Sequence, residues 1–234
     1  MTFGHSRSGQ KVTKLPSNSA VYGLRRAELR APDPDATTHF YRKLLDWTVL
    51  RSEEGLDCWV GERRCARVRP DQTAQPPQWR LVFAGAPENG ELTGPEDTFA
   101  SMVKGRAQHG PWAPRPRRGE PCWIELRTAL AESADRFWSE SLTWSVREHS
   151  PKATYTVRDS AIAARTTPRD SDGSVGWLCY FNVGELDGAA ERVNELGGSV
   201  LERGQHEMLG ETLVIADFDG VVSALVADPG RWGG

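Results

Sequence analysis

Two runs in the chain alternate polar and apolar positions with a period of two: RRAELRA at 25–31 and CWIELRT at 122–128. Alternation of this kind predicts strands with one face buried. Each run leads into a helical pattern. After the first comes PDPDATTHFYRKLLDW, in which Pro and Asp open a helix and Ala36, Phe40 and Leu44 fall on one face. After the second, Ala134, Phe137, Trp138 and Leu142 form the same stripe. Then WTVLRSEEGLDCWVGERRCARVRP at 47–70 and WSVREHSPKATYTVRDSAIAART at 144–166 predict short strands, with Gly61-Glu62 and Arg158-Asp159 at hairpin turns.

The two stretches are copies of each other. Glu28-Leu29-Arg30 matches Glu125-Leu126-Arg127, and LDWTV at 45–49 matches LTWSV at 142–146. Trp79 then matches Trp177 with a one-residue slip. Such a repeat predicts a duplicated domain, 20–118 and 119–230, each copy opening with a β-α-β-β-β module. Residues 1–19 are polar and aperiodic and are expected to be a disordered tail. A further module follows in the second half: GWLCYFNVGELDGAAERVNELGG reads strand then helix, with Ala189, Val193 and Leu196 on one helix face and Gly197-Gly198 ending it. DFDG at 217–220 is the turn before a last strand. Its counterpart in the first half is eroded: DTFASMVKGRA alone suggests a helix there, and 105–121 reads as an extended connection.

Composition narrows the functions. A net charge of −3 gives no reason to expect nucleic acid or an anionic membrane as partner. The longest apolar stretch is interrupted by Asp and Gly, so no transmembrane segment is expected. Cys58, Cys65, Cys122 and Cys179 form no CxxC pair. They are expected to be free thiols in a reducing cytoplasm. A monomer or homodimer binding a small molecule is the expected form.

The motifs WIEL…FW…LTW, GWLCYFNVGELDGAAERVNELGG and DFDGVVSALV, with AELRAPDPDATTHFY in the first half, resemble the vicinal oxygen chelate superfamily of glyoxalases, bleomycin-resistance proteins and dioxygenases. The style is that of its two-domain actinobacterial members. The resemblance implies an α+β fold in which tandem βαβββ modules curl mixed sheets into cups, each with a ligand-holding concave face. Metal-dependent members carry His on a module's first strand and Glu on its last. Those positions fall here on Arg26, Arg80, Trp123 and Leu178, with Ala224 at the Glu position. None is a His or Glu, so no metal and no other cofactor is expected.

If the first-strand positions face inward, Arg26, Glu28, Arg30, Arg80, Val82, Trp123, Glu125, Arg127, Leu178, Tyr180 and Asn182 line the cups. Ala27, Leu29, Ile124, Leu126, Phe181 and Val183 then face the helices. Glu125 and Glu28 are the candidate acid–base groups. Trp123, Arg127, Tyr180, Arg26, Arg30, Arg80 and Asn182 are the candidate substrate contacts. The competing reading of both Glu residues is that they only neutralise neighbouring Arg. The working cup is expected to be built from the intact modules of the second half, the alternative being a cup shared by the first and fourth modules. Two functions follow. One is a metal-independent enzyme that rearranges, cyclises or eliminates on a small aromatic or polyketide-like metabolite. The other is a protein that sequesters a drug, of the bleomycin-resistance type.

Overall fold

The computed structural model describes residues 22–71, 78–167 and 175–234, so the expected tail lies outside the described residues. The first module is β1 (Gly23–Ala31), α1 (Pro34–Leu45), β2 (Thr48–Ser52), β3 (Gly55–Val60) and β4 (Arg63–Pro70). Pro34 stands in the first turn of α1, and the Asp33 carboxylate caps it by accepting from the Ala36 N–H at 2.9 Å. The second half opens with β8 (Pro121–Arg127), α2 (Ala131–Leu142), β9 (Ser145–His149), β10 (Lys152–Val157) and β11 (Ser160–Thr166). Both helices stop at a left-handed residue, Asp46 and Thr143, each at φ 57°. Leu130, at the position of Asp33, cannot cap α2; Thr128 Oγ1 accepts from its N–H instead, and Glu96 of the first half accepts from Ala129 N–H.

The remaining modules diverge. The fourth is complete: β12 (Gly176–Asn182), α3 (Leu186–Glu195), β13 (Ser199–His206), β14 (Gly210–Ala216) and β15 (Val222–Val226). The second is β5 (Arg80–Ala84), β6 (Gly90–Thr93), a 3₁₀ turn at Pro95–Asp97 and β7 (Phe99–Val103). The helix expected in DTFASMVKGRA is therefore wrong: this stretch enters the sheet as β7, parallel to β5. Ala100 and Met102 are buried while Phe99, Ser101 and Val103 are half-exposed, a period of two that a short helix-like composition disguised.

Two mixed sheets result, with strand orders β2-β3-β4-β1-β5-β7-β6 and β13-β14-β15-β12-β8-β11-β10-β9. The first and second modules join through antiparallel β1 and β5, the third and fourth through antiparallel β8 and β12. No strand pairing between the described residues links the two sheets, so Glu28 and Tyr180 line different cups.

Each sheet turns its apolar face toward a shared core. On that face Trp47 and Trp79 meet Phe181, and Phe83 meets Trp144 and Trp177. The Trp79 indole donates to Ser223 Oγ at 2.8 Å. Helix α1 packs against α3, and Phe40 is buried there beside Phe218. Its repeat partner Phe137 is only half-buried, because the second module offers no helix for α2 to meet. The matched helix pairs Tyr41 and Trp138, and Leu45 and Leu142, are fully buried in both copies.

Candidate functional site

Both sheets carry their polar side chains on the face away from the helices, the face that forms the cup in this fold. On the second sheet, β8 runs beside β12 with Trp123 opposite Tyr180 and Glu125 opposite Leu178, and β15 places Ala224 opposite Tyr180. Directly paired residues share a face, so these line one cup. Glu125 lies at its floor, 6 % exposed. The Tyr180 hydroxyl donates to Glu125 Oε2 at 3.2 Å.

A third group joins them that the sequence did not single out. His206, at the end of β13, turns Nε2 to within 3.6 Å of Glu125 Oε2, and its ring meets that of Tyr180 edge-on. Its Nδ1 accepts from the N–H groups of Met208 and Leu209, both at 3.2 Å. With Nδ1 an acceptor, the proton belongs on Nε2, facing the carboxylate. Polar residues on both faces of β13, and a bulge between Val200 and Glu202, leave no period from which to read the direction of His206.

Burial works against a charge on Glu125, but the His206 imidazole, the Thr166 hydroxyl and the Arg127 guanidinium outweigh it and hold the carboxyl below its usual range. Burial and then Glu125 raise the Tyr180 phenol, so it stays protonated. The site thus pairs an ionised carboxylate with a phenol and an imidazole N–H. Arg127 lies two residues beyond Glu125 on the same strand face, close enough for its charge to act on that carboxylate, and among the described residues it makes no hydrogen bond or salt bridge. It lines a cavity of about 320 Å³ with Glu96, Trp177, Leu178 and Val222. The Trp177 indole N–H is buried and finds no acceptor.

Two expected contacts do other work. Trp123 does face the cup, but it is fully buried under Trp232, with ring centroids 5.9 Å apart. Asn182 is tied to the backbone: its amide N–H donates to Pro116 O at 3.2 Å, and its Oδ1 accepts from Gly184 and Asp228 N–H. Neither is free to meet a ligand, which corrects both expectations. The first sheet holds the others. Glu28 accepts from Arg26 and Arg69, Arg80 rests on Phe99, and Arg30 reaches Asp71 at the rim.

The donor set does not fit a resident divalent ion. Trp123, Tyr180 and Ala224 stand together on the cup floor and offer neither imidazole nor carboxylate. Glu125 and His206 are two donors of the right kind, but among the described residues no third His, Cys, Asp or Glu joins any such pair. No helix among the described residues is long and apolar enough to cross a membrane.

The sequence matches no family model and no curated protein. The structure does find similar solved structures. A Mn(II)-bound glyoxalase from Novosphingobium aromaticivorans is 13% identical, with 90% of this chain and 83% of that chain covered and a TM-score of 0.62. A catechol 2,3-dioxygenase is 13% identical, with 90% of each chain covered and a TM-score of 0.64. A 2,2',3-trihydroxybiphenyl 1,2-dioxygenase from Sphingomonas wittichii strain RW1 is 12% identical, with 92% of this chain and 93% of that chain covered and a TM-score of 0.63. At this identity the likeness is one of fold: two domains of the vicinal oxygen chelate type, α+β, with three of the four modules βαβββ.

Proposed function

We propose that this chain is a metal-independent enzyme of natural-product metabolism. Its substrate is a small aromatic or polyketide-like metabolite bearing an anionic group, which it rearranges, cyclises or eliminates in the second cup. The observation that carries the reading is Glu125 at the cup floor, hydrogen-bonded by Tyr180 and faced by His206, with the Arg127 guanidinium two residues away on the same strand face. Arg127 binds the anionic group in the cavity beside it. Glu125 takes a proton from a substrate carbon or hydroxyl, and the Arg127 guanidinium meets the charge that develops on the substrate oxygen. The protonated Glu125 then returns the proton at a second atom, so no external oxidant or metal enters the balance. His206 and Tyr180 orient the carboxylate and stabilise its charged form.

A sequestering protein would use the same cavity without the proton transfer, and the Arg127 guanidinium would serve it equally. One experiment separates the two. Carboxylate-bearing aromatic and polyketide-type compounds are incubated with wild type, Glu125→Gln and Arg127→Gln, and turnover and binding are followed separately. The enzyme reading expects Glu125→Gln to lower kcat by roughly 10²–10⁴-fold with KM little changed. Arg127→Gln should mainly raise KM. Turnover unchanged in folded Glu125→Gln removes the residue from the mechanism. Binding by wild type with no product, altered in affinity alone by either variant, selects sequestration.

A further inference from the structure

The first cup is lined by charge rather than by apolar side chains. Across four strands, Asp57, Arg67, Glu28 and Arg80 stand directly opposite one another in one row. Arg26 and Arg64 flank the row on one side and Arg69 on the other. Arg67 and Arg64 both bond to Asp57, Arg26 and Arg69 to Glu28, and Arg67 and Arg69 also reach Glu54. Four guanidiniums therefore share three carboxylates. Arg80 adds a fifth positive charge: it lies 4.1 Å from the Phe99 ring centroid, makes no salt bridge among the described residues, and feels the more distant carboxylates of Glu91, Asp71 and Glu28. Two donors on this face, Arg69 Nε and Trp59 Nε1, are buried without an acceptor among the described residues. The Trp59 ring lies beneath Arg64, its centroid 5.7 Å away.

Burial and neighbouring guanidiniums lower the pKa of Arg26, Arg67 and Arg80, in each case outweighing the carboxylates nearby. A sheet face on which four guanidiniums share three carboxylates and two donors find no acceptor among the described residues has capacity to hold an anion. We infer that the first cup is a second ligand site, for a compact metabolite with at least two negative charges on phosphate or carboxylate oxygens. Its planar forks would take the oxygens two at a time, with the Trp59 N–H as a further donor. This goes beyond the proposed function and does not depend on it, since none of these residues belongs to the second cup.

The test is calorimetric titration of the intact protein with inorganic pyrophosphate and, separately, with citrate, in about 50 mM salt, where charge attraction is weakly screened. Wild type, Arg69→Gln, Arg80→Gln and Arg127→Gln are compared, each first shown to melt cooperatively. The expected result is saturable binding of one or both anions, weakened about 10-fold or more by Arg69→Gln or Arg80→Gln. It should persist in Arg127→Gln, where any anion binding in the second cup is lost. Preference for pyrophosphate identifies a phosphate ligand, and preference for citrate a carboxylate one. Absence of saturable binding, binding unmoved by both first-cup variants, or binding abolished by Arg127→Gln alone overturns the inference. The outcome does not bear on turnover in the second cup, so the two proposals fail separately.

Discussion

Trp232 covers Trp123 from 109 positions further along the chain, its indole N–H donating to Ile162 O at 2.9 Å. Gly233 fixes the cover by donating its N–H to Cys122 O at 3.0 Å, at φ 77°. A Cβ there would press on the Trp123 ring at 2.9 Å. The last residues thus wall the second cup.

Removing that wall should be costly. Trp232→Ala is expected to destabilise by about 3–5 kcal/mol, the range for deleting a large buried aromatic. Trp232→Phe keeps most of the packing and should lose only about 1 kcal/mol for the hydrogen bond. Urea unfolding of the two variants measures both. Equal losses would mean that the ring contact with Trp123 contributes little.

Burial lifts the Asp217 carboxyl from the ordinary 3.8 to about 6, against the pull of the Val221 and Asp219 N–H groups that donate to its Oδ1. A raised folded-state pKa means the folded form binds the proton more tightly than the unfolded form does. The benefit is complete below about 3.8 and disappears as pH rises through about 6. Thermal stability of wild type should therefore fall between pH 4 and 7 relative to Asp217→Asn, and the difference between them should level off above pH 7. A difference that stays constant across this range would remove Asp217 as its source.

Glu120 is fully buried and holds the connection between the two halves: Arg63 meets its Oε2 at 2.6 Å, and Arg117 donates from its backbone N–H and its side chain. Breaking one side of such a pair leaves a buried charge. Glu120→Ala should cost about 3–5 kcal/mol, and Arg63→Met combined with it less than the two changes added. A double-mutant cycle by denaturant unfolding reads the coupling, and strict additivity would contradict it.

All four thiols are free and buried, and burial pushes each of them up, Cys58 to about 12. A thiol reagent at pH 8 should titrate none in the folded protein and four after unfolding. Fast modification of any one in the native state would place that Cys at the surface.

The sequence by itself determined the repeat and the faces. Thr48 and Ser145, which open β2 and β9, and Pro34 and Ala131, which open α1 and α2, are all 97 residues apart, the spacing of the matched ELR motifs. Alternation along β1 and β8 separated Glu28 and Glu125 from Leu29 and Leu126 correctly, because side chains on a strand change face at every residue. Only the tertiary structure decided what each cup contains. His206 reaches Glu125 across 81 residues, and Trp232 closes over Trp123. Such approaches depend on how the sheets curl and where the loops return, and period-two alternation carries neither. For the same reason Asn182 had the right parity for a ligand contact, yet the returning connection at Pro116 claims its amide. Periodicity is local and fixes direction. Occupancy is set by partners distant in sequence, whose backbone polar groups must themselves be satisfied once buried.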